Sequence, residues 1–181
     1  MWHALLRDTR FFALLTTLDQ DLAEQTRIQG CPCGGRLHQA HYPRKPRGGP
    51  PALSPEQERR LSFCCEREGC RRRRTPPSLR FLGRRVYFGA VVVVVTTLAH
   101  GVTPRRAEAL RRKFGVDRRT LERWRRWWRA HFPSSAFWRQ RRAHFSPPIA
   151  VAGLPASLLE RFAVAGESTG LVSLLRFLAP L

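Results

Sequence analysis

All five cysteines of this chain fall between Cys31 and Cys70, in the stretch "CPCGGRLHQAHYPRKPRGGPPALSPEQERRLSFCCEREGC". A chain that bunches its thiols this way must fold the window around whatever those thiols do. The start, "MWHALLRDTRFFALL", carries an acid at Asp8 and interrupted apolar runs, unlike a secretory signal. The longest apolar stretch, Val86–Ala99, has 14 residues, short of the roughly 20 needed to cross a bilayer. No membrane partner is expected. A reducing, cytoplasmic (nucleoid-associated) location is, so a disulfide framework is not. Clustered thiols in such a place point to a metal ion.

Zinc takes four ligands in a tetrahedron, and two short cysteine pairs on two tight turns supply them. Cys31-Pro-Cys33 makes the first pair, with Gly34-Gly35 behind it to let amides approach the sulfurs. The second pair is Cys70 with either Cys64 or Cys65. Cys65 gives the shorter knuckle, with Gly69 allowing a sharp turn before Cys70. His38 and His41 could each replace a thiolate. Filling a core with small buried thiols would explain neither the clustering nor the flanking glycines.

Charge sets the next constraint. Lys and Arg number 33 against 13 acids, for a net +20, and only Lys45 and Lys113 are lysines. Residues 1–30 carry −1 and residues 147–181 carry zero, which leaves +21 for residues 31–146. A single-sign surplus this concentrated is the footprint of a polyanion binder. Arg71–Arg85, "RRRRTPPSLRFLGRR", reads as a phosphate-gripping arm, since guanidinium pairs bidentately with phosphate. Arg71, Arg72, Arg73, Arg74, Arg84 and Arg85 are its expected contacts. The Pro- and Gly-rich Tyr42–Pro55 between the cysteine pairs is expected to be an extended loop that also touches phosphate.

"VTPRRAEALRRKFGVDRRTLERWRRWWRAHF" (Val102–Phe132) predicts two helices and a tight turn. Thr103 caps the first, with Pro104 at its first position. Ala107, Leu110 and Phe114 share one face, and Gly115 ends the helix in the left-handed conformation. Asp117 caps the second, whose packing face is Leu121, Trp124 and Trp128. That pattern is a helix-turn-helix. Its outer face carries Arg118, Arg119, Glu122, Arg123 and Arg126, arranged to enter a major groove. Trp127 falls off the packing stripe and could stack on bases.

The order of these parts resembles the N-terminal half of zinc-ribbon transposases from bacterial insertion sequences. The match covers roughly 31–132: the Cys-Pro-Cys-Gly knuckle, "FCCEREGCRRR", an apolar segment and "GVDRRTLERWRRWWR". The resemblance implies that Cys31, Cys33, Cys65 and Cys70 hold Zn2+, and that Arg118, Arg119, Glu122, Arg123 and Arg126 face DNA. It also implies that "AVVVVVTT" (Ala90–Thr97) is a buried helix, although its β-branched residues favour strand. Arg111 departs from the pattern where a small residue is usual. Those transposases continue into a catalytic domain with an acidic triad, but after Glu122 the acids here are only Glu160 and Glu167. Two-metal phosphoryl transfer needs several converging carboxylates, and His38, His41, His100, His131 and His144 form no paired motif. Enzymatic activity is therefore not expected.

Outside this region, Thr9–Gln29 is expected to be a helix with the stripe Phe11, Leu14, Leu15, Leu18 and Leu22. Ser146–Pro155 is a linker, and two short helices follow with Leu158, Leu159, Phe162, Leu171, Leu174, Leu175 and Leu178 on apolar faces. The expected fold class is mainly α, with a small zinc ribbon (short β-hairpin) joined to a three-helix helix-turn-helix domain and N- and C-terminal helices. The expected divisions are 1–30, 31–83, 84–145 and 146–181. The expected partner is double-stranded DNA, with a separate transposase or self-association through the C-terminal helices. An RNA-binding zinc protein, or a truncated transposase or nuclease, is the alternative.

Overall fold

The structure, a computed structural model, describes residues 2–99 and 103–181, so His100 lies outside the described residues. It is mainly helical, with small antiparallel sheets. After a short α1 (Trp2–Leu5), Asp8 accepts from the Arg10 amide at 2.9 Å and starts α2 (Thr9–Gln29). The length matches the sequence expectation, and so does the buried face at Phe11 and Leu15, with Leu18 and Leu22 packed half-buried on the core, but not at Leu14. Phe11, Phe12, Leu15, Thr16, Asp19, Ala23 and Thr26 point inward, while Leu14 is 45% exposed. Asp19 sits mid-face because its carboxylate is fully occupied there. It accepts from Ser78 Oγ at 2.5 Å, the Leu79 amide at 2.6 Å and Arg80 Nε at 2.8 Å. A paired, hydrogen-bonded carboxylate can occupy a position that apolar periodicity would assign to leucine.

Two small sheets follow. β1 (Leu37–Gln39), β4 (Phe63–Cys65) and β5 (Arg73–Arg74) form one sheet in the order β1-β4-β5, while β2 (Tyr42–Pro43) pairs with β3 (Arg59–Arg60). Between the halves, α3 (Pro55–Glu58) opens with a capping box of Ser54 and Gln57. Leu37 faces Cys65 and His38 faces Cys64 across the first ladder. Side chains alternate along a strand, so Leu37, Phe63 and Cys65 turn inward to join Cys31 and Ala23 of α2 in a small core.

The larger core surrounds α4 (Gly89–Leu98), where Val91 to Val95 are all fully buried. Five consecutive valines resist helix formation through lost side-chain freedom. An element enclosed on every side can be apolar all round, and packing overrides propensity here. α5 (Pro104–Phe114) and α6 (Arg118–Arg126) both pack on α4. Gly115 stands between them at φ +61° and ψ 32°, and the amides of Gly115 and Val116 both bond to Arg111 O. Asp117 caps α6 by accepting from the Thr120 amide at 2.7 Å. α6 then widens into a π turn, Trp127–His131, before α7 (Phe132–Ser134) and α8 (Ala136–Arg141). α9 (Ala156–Phe162) and α10 (Glu167–Leu178) close over α4 with Leu158, Leu159, Leu171, Leu174, Leu175 and Leu178 buried. Among the described residues, no helix is long and apolar enough to cross a membrane.

Arg80 ties the two cores together. Besides Asp19, its guanidinium reaches Glu56 O at 2.7 Å, Gln57 O at 2.9 Å and Arg59 O at 3.1 Å. It lies within the Arg71–Arg85 run yet is fully buried, so it is no part of a phosphate-gripping surface.

Candidate metal centre and basic surface

Cys31 and Cys33 sit on the turn after α2, where the Gly34 amide donates to Cys31 O at 2.8 Å. Cys65 ends β4, and Cys70 sits on the following turn, its amide donating to Arg67 O at 3.0 Å. The four sulfurs lie within 4.8 Å of one another and could hold a metal ion. Cys31 Sγ is 3.7 Å from Cys70 Sγ, and Cys33 Sγ is 3.5 Å from Cys65 Sγ. Thiolates bound at about 2.3 Å around a tetrahedral zinc stand roughly 3.8 Å apart, so the donor set fits such an ion.

Gly35 makes this approach possible: a Cβ there would lie 2.6 Å from Cys65 Sγ and 3.4 Å from Cys33 Sγ. The thiols are electrostatically unequal. The Gly35 amide, then the neighbouring thiols, bring Cys33 down to about 6. Burial pushes Cys65 up to about 12. A dication would hold both as thiolates, because its charge favours the ionised form.

The Cys64 ambiguity has a geometric answer. Adjacent strand residues face opposite sides, and Cys64 Sγ turns away to donate to Arg71 O at 3.4 Å. Neither histidine joins the sulfurs. His38 Nε2 lies 3.1 Å from Glu66 Oε2, and the Ser62 amide donates to His41 Nδ1 at 3.0 Å.

The arginines expected to meet DNA are distributed over one arm and one helix. Arg71, Arg72, Arg73 and Arg84 are exposed, whereas Arg74 and Arg85 are half-buried. Arg73 lies over the Tyr42 ring at 5.5 Å and donates to Ala40 O and Ser62 Oγ, each at 3.3 Å. The Tyr42–Pro55 loop does not extend freely into solvent: the Arg47 amide bonds to Val86 O at 2.8 Å, and Phe88 N to Arg47 O at 3.2 Å. On α6, Arg118, Arg119, Glu122, Arg123 and Arg126 are all exposed, opposite the buried Leu121 and Trp124. Glu122 accepts from Arg118 Nε at 2.8 Å, and Arg123 Nη2 donates to Thr120 Oγ1 at 2.9 Å.

A groove of about 540 Å³ runs between the Arg84–Tyr87 segment and the α6 end, lined by Arg84, Arg85, Arg123, Arg126, Trp127 and His131 among others. Arg85 lies 3.9 Å over the Trp127 ring and donates to Leu82 O at 3.3 Å. Burial first, then the like charge of Arg123, lowers Arg85 to about 10. Sequence spacing separates Trp127 from the packing tryptophans, but nothing in it pairs Trp127 with Arg85. No family model, curated protein or solved structure matches this chain.

Proposed function

We propose that the chain is a zinc-dependent duplex-DNA-binding protein, transposase-related and either mobile-element-associated or regulatory. The carrying observation is the division of α6: four exposed arginines, Arg118, Arg119, Arg123 and Arg126, on one side, with Leu121 and Trp124 buried on the other. Such a helix, preceded by a glycine turn and packed on α4, suits entry of a recognition helix into a major groove. Arginine grips guanine through two acceptors, and Glu122 suits the cytosine amino group.

Cys31, Cys33, Cys65 and Cys70 would hold the zinc ion, which in such a site supplies folding free energy rather than reactivity. The zinc ribbon so formed includes the sheet that carries Arg73 and Arg74. Exposed Arg71, Arg72 and Arg73, with Arg84, supply phosphate contacts that position the chain without reading sequence. The apolar sides of the C-terminal helices are buried against α4. A separate transposase, or a second copy, would therefore meet the outer sides of those helices.

The test is a titration of a labelled duplex with the zinc-loaded chain at several salt concentrations, with structured RNA as competitor. The reading expects duplex affinity to fall steeply with salt and RNA to compete poorly. Equal competition by RNA would favour the RNA-binding alternative, and absence of salt-dependent binding would remove the reading.

A further inference from the structure

Resting on the nucleic-acid reading of the basic centre, we propose that the groove between Arg84–Tyr87 and the π turn binds an unpaired stretch of DNA strand. This site adjoins the duplex-facing side of α6 and shares Arg123 and Arg126 with it.

The groove gathers charge from two distant parts of the chain. Arg84 and Arg85 come from the segment before α4, Arg123 and Arg126 from α6, and among the described residues no carboxylate lines the site. Arg85 is the telling member. It is half-buried, it is bonded to a carbonyl rather than a carboxylate, and it lies near the like charge of Arg123. Removing a cation from water without a counter-charge is unfavourable. A phosphodiester in the groove would supply that charge.

The aromatic side points to a nucleotide rather than a bare anion. The π turn, where Phe132 N bonds back to Trp127 O, adds a residue to one turn of helix. Such insertions are rare and concentrate at functional sites. Here Trp128 and Phe132 remain fully buried while Trp127 and His131 line the groove. The Trp127 face is covered by the Arg85 guanidinium at 3.9 Å. A guanidinium plane stacked on an indole can receive a base on its other side. Sites of roughly 300–1,000 Å³ hold small ligands, so about 540 Å³ admits about one or two nucleotides. Arg84, Arg123 and Arg126 then meet phosphates, while the Arg85–Trp127 stack meets a base. Positive groove and stacking platform together define sequence-tolerant single-strand binding.

The test compares labelled oligodeoxythymidylate with a blunt duplex, using the zinc-loaded full chain at one low salt concentration. Arg85→Leu and Trp127→Leu are each expected to weaken the oligomer at least about fivefold, the lower end of base-stacking losses. Duplex affinity should change by less than about twofold. Arg119→Ala, outside the groove, should do the converse. Trp127 packs on Trp128 and Phe132, so two further variants guard against misfolding. Trp127→Phe should retain most of the oligomer binding, and Arg84→Ala, at an exposed side chain, should weaken it. If Arg85→Leu and Trp127→Leu weaken oligomer and duplex in equal proportion, there is no separate strand site. If the duplex binds and the oligomer does not, this inference falls and the duplex reading stands. If neither binds, both fall.

Discussion

Arg80 Nε donates to Asp19 Oδ2 at 2.8 Å, and neither side chain is more than 1% exposed. The remaining carboxylate capacity is taken by Ser78 and Leu79, and the remaining guanidinium donors by three carbonyls around α3. One ion pair therefore links the long N-terminal helix, the β2–β3 region and the segment leading into α4. Desolvating such a pair is costly, so its weight in folding shows when one partner is removed.

Asp19→Ala would strand a buried guanidinium and is expected to destabilise the fold by about 3–5 kcal/mol. For a chain of this size that lowers the melting temperature by roughly 6–20 °C. Arg80→Leu should cost a similar amount, and the double variant less than the two losses added, because the residues share one network. Thermal melts of the three variants check this.

The candidate metal centre distinguishes two neighbouring cysteines. Cys65→Ser should abolish stoichiometric zinc binding, whereas Cys64→Ser should retain it, as metal analysis of the purified variants will show. Zinc retention should also fall with pH. Cys33, depressed from its ordinary 9.0 to about 6, contributes as a thiolate above 9 and loses that contribution as pH falls through about 6. Cys65, raised to about 12, keeps its proton until metal displaces it. At neutral pH, zinc binding should therefore release fewer protons than the four sulfur ligands it engages. Calorimetry in buffers of different ionisation enthalpy measures that number.

Gly35→Ala is predicted to impair the candidate metal site without replacing a ligand. The added methyl would need to lie 2.6 Å from Cys65 Sγ, so the sulfur or the turn must move. The expected result is weaker zinc affinity in competition with a chelator, while the helical signal in circular dichroism is retained. Unchanged affinity would show that the turn can yield.

Arg119 on α6 is exposed and separate from the groove. If it meets a phosphate, Arg119→Ala should lower duplex affinity and reduce the slope of log affinity against log salt by about 1. If it reads a base, the slope should hold while discrimination at one position of a preferred site relaxes. A titration across salt separates the two roles.

Much of the fold was legible because its signals were local. Asp8, Thr103 and Asp117 mark helix starts by chemistry that acts within three residues, and Gly115 marks a stop for the same reason. Spacing grouped the cysteines into two pairs but left Cys64 and Cys65 open, and it is strand alternation in the fold that puts Cys65 beside Cys31, Cys33 and Cys70. The place of Asp19 on the buried face of α2 was not legible in that way. Asp19 lies outside the expected apolar stripe, and its partner lies 61 positions away at Arg80. Arg80 itself was hidden among arginines that remain at the surface. The Arg85–Trp127 stack was equally hidden, since it depends on a π turn and a long-range approach that no short pattern encodes.

The valine run of α4 carries a cost during biosynthesis. Residues 91–95 leave the ribosome before α6, α9 and α10, which later enclose them. An uncharged, β-branched segment without its cover is a template for intermolecular strand pairing. Translation halted before the C-terminal leucines should thus yield a product prone to deposit as aggregate, with chaperone capture as the competing fate.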